Sequence, residues 1–516
     1  MEPKCKVYGE TLKECFNHTA LIRGKNKAIS FFREGVMETE ISYLELNQDS
    51  DRMANTFMEV GVEKGDRVIL FLQKSLIFVI AHVAIQKLGA VGVPLNPGFK
   101  KSEMEYFIKD IDAKLILAGK AQETILREID PSLSLMTIHT ERPYQDLDFF
   151  RFASDRLPAV EIGPKDPGLI VYTSGTTGKP KGVILTQKNL VHDANNIINT
   201  WEISEFDVLC HALPFFHVHG LCFALNTSLI AGSHVLMLDQ FSPDTVVKML
   251  SKKEGENICT LFMAVPSMYV KMLDYLGDQR LDLGHIRLWT SGSAPLLPKD
   301  FERIKKVFGK KPVEREGMTE TGMNFSNPIR GVRKPGSVGI PLPDIQVRIV
   351  DLQSFSDVGQ GQEGEIWLKS PTVTPGYWRK PEETARAFEN GWLRTGDLGK
   401  VDSDGHYYLT DRCKHIIISG GENISPKEIE GVINQIQDVI ESSVVGIPDE
   451  KWGERVVAAV VTKKGSNVTA FDIKNHCKEH LHNWKCPKEV FFLEELPKNR
   501  MGKVLKEEVK RFFRHD

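Results

Sequence analysis

Short, almost wholly apolar runs stand ahead of helix-length stretches at several places along this chain. Arg67 to Leu72 (RVILFL) precedes Ser75 to Leu88, Gly168 to Tyr172 (GLIVY) precedes Gln187 to Asn199, and Ile286 to Trp289 (IRLW) precedes Pro298 to Phe308. A strand that is apolar along its whole length needs cover on both faces, and alternation with helices gives a parallel sheet that cover. The pattern predicts an α/β fold for about the first 400 residues, in more than one sheet, because 516 residues exceed a usual ~150-residue domain. From Pro341 the style changes: QVRIVDL, GEIWLKS and GHYYLTD are short strands separated by turns such as Asp404-Gly405, which predicts a small, mostly antiparallel module. A further α/β-like stretch runs from Ile416, with Lys427 to Gln435 as a helix and Val456 to Thr462 as a strand. The expected division is a large multi-sheet N-terminal domain, 1–411, containing the β module at 341–411, and a small α+β C-terminal domain, 412–516.

Several classes of function are disfavoured at once. Lys and Arg number 66 against 69 Asp and Glu, a net charge of -3, so nothing general in the chain attracts nucleic acid or anionic lipid. Eight cysteines without a C-x-x-C pair fit a reducing compartment better than a disulfide framework or a zinc ribbon. The amino end has no apolar signal region, and the run Ser75 to Ile85 is too short to cross a bilayer and contains His82. It reads as a buried core helix, and the expected location is cytoplasmic, with no integral membrane segment.

The richest segment chemically is Tyr172 to Gly182, YTSGTTGKPKG, directly after an apolar strand. Its glycines allow close backbone approach to a ligand, while its hydroxyls and lysines supply donors suited to a polyphosphate. It is not a Walker A loop, since Thr173 stands five positions before Gly178 and Pro180 follows Lys179. The bland alternative is a solvated hairpin tip.

Further segments follow in order: LPFFHVHG (Leu213 to Gly220), SGSAPL (Ser291 to Leu296), GMTETG (Gly317 to Gly322), GWLRTGDLG (Gly391 to Gly399), DRCKHIIISGGENISPKEIE (Asp411 to Glu430) and LPKNRMGKV (Leu496 to Val504). With these the chain resembles the adenylate-forming superfamily of acyl-CoA synthetases, adenylation domains and luciferases. The resemblance implies that a carboxylate and ATP give an acyl-adenylate and pyrophosphate, after which the CoA thiol displaces AMP. ATP, Mg2+ and CoA are the implied cofactor and co-substrates, and a small carboxylic acid the implied partner.

It also implies residue roles. Thr173, Ser174, Gly175, Thr176, Thr177, Gly178 and Lys181 would hold the phosphates. Glu320, with Thr176, would hold magnesium, and Gly292, Ser293, Ala294, Glu316, Gly317, Met318 and Thr319 would border the nucleotide. Asp397 resembles the ribose ligand, and Arg412 its companion. Lys503 would stabilise charge developing between carboxylate and α-phosphate. Lys414 occupies the position at which the C-terminal domain swivels, exchanging Lys503 for the loop with Ser419, Gly420 and Gly421 that lines the CoA channel.

The acyl pocket is expected from Phe215 to Gly220, Val265 to Tyr269 and Trp289 to Leu296, with His217, Val265, Ser291, Gly292 and Arg287 facing it. His211, His217 and His219 lack a carboxylate or cysteine at zinc spacing and read as non-metal residues. LPFFHVHGL, RLWTSGSAPLL and EGMTETGMNFSNP look most like the malonyl-CoA synthetase branch. A second carboxylate would need a cation, for which Arg287 and Arg303 are the candidates by location. One departure stands out: Glu316 occupies the position at which the family carries an aromatic ring for adenine stacking. Either another residue stacks or the adenine amino group bonds Glu316. Three functions remain open: a CoA ligase, a free-standing enzyme loading a carrier protein, and a non-catalytic nucleotide- or acyl-binding protein. A homodimer is common in the family.

Overall fold

The computed structural model describes residues 7–147, 150–151, 153–157, 159–173, 180–277, 279–294, 296–419, 422–449, 452–498 and 504–513. By compactness the chain divides into two units: Met1–Gln346 with Leu368–Leu393, and Val347–Trp367 with Arg394–Asp516. The division falls inside the antiparallel module, because the strands Gly364–Lys369 and Trp392–Val401 run across it, whereas the sequence pattern placed the boundary at 411–412.

The first unit is α/β. One sheet orders the strands Leu135–Ile138, Leu115–Gly119, Arg67–Phe71, Val91–Pro94, Pro167–Thr173 and Lys181–Thr186. The pairs within it are parallel until the last, an antiparallel hairpin in which Thr173 faces Lys181. A larger sheet runs Ile340–Pro341, Gly322–Ser326, Val313–Met318, Leu288–Ser291, Leu261–Ala264, Val208–His211, His234–Leu238, Lys27–Arg33 and Val36–Ser42. Its middle is parallel and each edge closes with antiparallel pairing. The helix Leu76–Leu88 is buried at every position and ends at Gly89 with φ +65°. Uniform burial explains an apolar run without amphipathic period, and the αL conformation explains the glycine. Helix Gln187–Trp201 starts at Thr186, whose hydroxyl accepts from the Asn189 amide in a capping box.

The antiparallel module orders Gln346–Val350, Gly364–Lys369, Trp392–Val401 and Phe388–Glu389, with Tyr407–Arg412 also paired to Trp392–Val401. The C-terminal residues of the second unit build a sheet from Glu422–Ile424, Ile417–Ser419, Gly453–Thr462 and Val439–Asp449, with Glu489–Phe492 parallel to Gly453–Thr462. Alternate residues of Gly453–Thr462 fill two cores: Val456, Ala458 and Val460 on one face, Val457, Ala459 and Val461 on the other. No helix among the described residues is long and apolar enough to cross a membrane.

Candidate active site

The hairpin of the phosphate loop sets the first part of the site. Ser174, Gly175, Thr176, Thr177 and Gly178 lie outside the described residues, but the loop's base is clear: Thr173 pairs with Lys181 across the hairpin. Lys181 Nζ stands 5.1 Å from the centre of the Tyr377 ring. The Tyr377 hydroxyl donates to Glu320 Oε1 at 3.2 Å, and the Glu320 carbonyl accepts from the Thr374 amide at 2.8 Å. Glu320 is buried, and burial together with this carboxylate raises the Tyr377 pKa. Lys181 and Glu320, 139 positions apart in the chain, therefore meet around one tyrosine that the sequence reading missed.

Glu320 sits in the turn between Val313–Met318 and Gly322–Ser326. The turn is tight. A Cβ on Gly317 would fall 2.6 Å from the Gly322 carbonyl oxygen, and Gly322 takes φ +73°, a conformation only glycine adopts freely. Met318 and Thr319 complete the approach to this turn and are partly buried. At the departing position, Glu316 Oε2 accepts from Asn324 Nδ2 at 3.0 Å, and Asn324 Nδ2 also donates to Thr321 Oγ1 at 2.7 Å. The glutamate is tied into the hairpin's own hydrogen bonds, where the family has an aromatic ring.

The expected acyl segments converge. LPFFHVHG leads into a π-helical stretch, His219–Asn226, and is held from beneath by Lys74. Lys74 Nζ donates to His211 Nδ1 at 2.8 Å and to the His211 carbonyl at 2.9 Å, and lies 5.1 Å over the Phe215 ring. His211 Nε2 then donates to the Gly220 carbonyl at 2.9 Å, so both of its nitrogens are engaged and the residue ties the segment in place. Burial pushes His217 down to about 4, leaving a neutral imidazole at physiological pH. Val265 caps the helix Pro266–Leu276 and is buried. Ser293 holds φ +68°, a strained conformation for a non-glycine residue, and its hydroxyl meets His219 Nδ1 at 3.2 Å. Ala294 beside it is half-buried.

Among these segments lies the residue that sequence reasoning overlooked. Arg315 is 3% exposed. Its guanidinium presses on Gly292, where a Cβ would come within 2.6 Å of Nε, and stands 5.3 Å from the Phe223 ring centre. Among the described residues none of its three nitrogens has a hydrogen-bond partner, and His219 Nε2 and Ser291 Oγ are likewise buried without one. Burial lowers its pKa to about 10, opposed by the charges of Glu316 and Asp193, so it stays cationic at neutral pH. Buried polar groups are nearly always paired, so the orphaned atoms around this arginine leave donors that a polar ligand or water could meet.

The two arginines expected to supply that cation are spent elsewhere. Arg287 makes a bidentate pair with Asp207, at 2.7 Å and 2.6 Å, and donates to the carbonyls of Trp201 and Glu202. Its expected role in the acyl pocket is corrected on that ground, since its charge is neutralised by Asp207 and four of its five N–H donors are already engaged. Arg303 is exposed and pairs with Asp274 at 2.9 Å.

The second unit carries its own constellation. Asp397 is 6% exposed and pairs with Arg412 Nε at 2.5 Å, across the Trp392–Val401 and Tyr407–Arg412 strands. Lys414 follows in a short 3-10 turn, Cys413–His415, and burial lowers its pKa. Ser419 ends the strand Ile417–Ser419 and pairs with Glu422 and Gly453. Gly420, Gly421 and Lys503 lie outside the described residues.

The AMP-binding enzyme family matches residues 15–378, and the AMP-binding enzyme C-terminal domain matches residues 428–503. A mitochondrial malonate–CoA ligase of Bos taurus is 34% identical over 88% of this chain and 83% of its own. A long-chain-fatty-acid–CoA ligase of Mycobacterium tuberculosis is also 34% identical, over 91% and 92%. The crystal structure of ATP-bound MatB from Rhodopseudomonas palustris superposes with a TM-score of 0.91 at 34% identity, covering 98% of this chain and 99% of that one. The chain therefore belongs to the AMP-binding enzyme family, as one of the AMP-forming acid–CoA ligases that make an acyl-adenylate and then a CoA thioester.

Proposed function

We propose that this ligase activates a small dicarboxylic acid of the malonate type. The carrying observation is the buried Arg315 among the acyl segments, which has no hydrogen-bond partner among the described residues. Overall identity does not choose the acid, because relatives of equal identity carry names for malonate and for long-chain fatty acids. The arginine supports the choice of a dicarboxylate. A buried guanidinium without a partner costs several kcal/mol, and a carboxylate meeting it bidentately offsets that cost through charge-assisted hydrogen bonds. A fatty acyl chain would lay methylenes against the same charge and leave it unpaired.

In this reading one carboxylate of the acid is held by Arg315 while the other attacks the α-phosphate of ATP, forming the acyl–phosphate bond as pyrophosphate leaves. The CoA thiolate then bonds to the acyl carbon and AMP departs. Thr173 and Lys181 support the phosphate loop. Glu320, a buried carboxylate oriented by a tyrosine hydroxyl, would hold a Mg2+ ion, which would supply charge neutralisation for the phosphates. Asp397 binds the ribose hydroxyls with Arg412 beside it. His217 stays neutral at the pocket mouth, and Lys503 supplies the cation for adenylation.

Pyrophosphate release measured with CoA across malonate, methylmalonate, oxalate, octanoate and benzoate tests the assignment. Malonate or methylmalonate is expected to lead. A clear preference for octanoate or benzoate, with malonate ignored, would defeat it. A second expectation concerns Tyr377. Tyr377→Phe removes one hydrogen bond to Glu320, worth about 0.5–1.5 kcal/mol, so adenylation should fall about three- to tenfold and recover in part as Mg2+ is raised. A variant indistinguishable from wild type across the Mg2+ titration would show that the tyrosine does not orient the carboxylate.

A further inference from the structure

The helix Ala470–His480 carries His476, Glu479 and His480 on its last turn, with one ligating atom of each within 4.8 Å of the others. The spacing H-x-x-E-H puts all three on one helical face, since positions three and four apart are neighbours. The two rings stand 4.3 Å apart, centre to centre. His480 Nδ1 donates to the His476 carbonyl at 2.8 Å. In a neutral imidazole that bond leaves Nε2 as the lone pair, and an imidazole nitrogen freed in this way is the form that ligates metals. His476 Nε2 is buried and has no hydrogen-bond partner among the described residues. Glu479 is exposed and enters no ion pair among them. The ordinary expectation for two surface histidines is that both nitrogens of each point to water, and this pair departs from it at both rings.

We infer that His476, Glu479 and His480 form a binding site for a divalent transition-metal ion, zinc in the first instance, on the C-terminal small domain. Two imidazoles and a carboxylate are the donor set zinc accepts in open sites, where a fourth position is left for water or an exchangeable ligand. Three protein donors on an exposed turn therefore suit reversible loading better than a closed structural centre. The location adds to the affinity, because the last turn of a helix carries partial negative charge and favours a cation. Mg2+ and Ca2+ are disfavoured, as hard ions seek oxygen donors only. Nothing in the ligase chemistry uses these residues.

The test is calorimetric titration of the full-length protein with zinc chloride, with Mg2+ as the control ion, for wild type, His480→Gln and Glu479→Gln. The expected result is one zinc site in wild type that weakens about ten- to a hundredfold in His480→Gln and less in Glu479→Gln. The same metal should raise the thermal midpoint of wild type but not of His480→Gln. Both substitutions are on exposed side chains, so folding is preserved, and the midpoint without metal verifies this. Zinc binding of equal stoichiometry and affinity in wild type and His480→Gln, or no zinc binding at all, would overturn the inference. Because cysteines elsewhere could take zinc, the difference between wild type and variant is the decisive readout.

Discussion

Arg315→Met is expected to lower kcat/KM for malonate by about thirtyfold to a few thousandfold, while adenylation of a neutral aliphatic acid holds or improves. The range follows from the 2–5 kcal/mol lost when one partner of a buried, hydrogen-bonded charge pair is removed, at tenfold per 1.4 kcal/mol. Most of the loss should enter through KM if the second carboxylate is bound equally in ground and transition states. A stability measurement separates recognition from architecture. The guanidinium has no hydrogen-bond partner among the described residues and has the Phe223 ring face beside it, so the unliganded methionine variant, which keeps that apolar contact, should melt no lower than wild type. A structural arginine behaves the opposite way, with a fall in the melting temperature and an equal loss for every acid, and that outcome would remove the dicarboxylate reading.

Lys503→Ala is expected to slow acyl-adenylate formation about a thousandfold and to spare thioester formation from supplied acyl-adenylate. A cation at ~4 Å from developing charge in an effective dielectric near 20 contributes about 4 kcal/mol, which corresponds to roughly that factor in rate. The two half-reactions are read separately, by pyrophosphate release without CoA and by thioester yield from synthetic adenylate. Equal loss of both would mean that the C-terminal residues do not exchange roles between the half-reactions. On the family resemblance we also propose a hinge at Lys414, a CoA loop at Ser419 and a paired-subunit state.

Local signals carried much of this protein. Alternation of apolar runs with helical stretches anticipated the parallel sheets, and the strand Arg67–Phe71 and the wholly buried helix Leu76–Leu88 lie where periodicity and length placed them. Asp397 and Arg412, named from short motifs, pair across adjacent strands. These features are legible because strand period, apolar length and turn chemistry are properties of neighbouring residues. The ordered motifs together identified the family for the same reason, since each is a short run of neighbouring residues.

What the chain could not disclose is which side chains are left unpaired once it has folded. Arg287 and Arg315 both lie at or near strands, and nothing local distinguishes them. Asp207, 80 positions before Arg287, neutralises one. Phe223 and Gly292 wall in the other without accepting its hydrogen bonds. Tyr377 likewise gains its role only by meeting Glu320 across 57 positions. Sequence by itself established the fold class and the chemistry of the family. Which arginine is left without a hydrogen-bond partner among the described residues was decided by the packing, because charge neutralisation and desolvation depend on distances between segments remote in the chain.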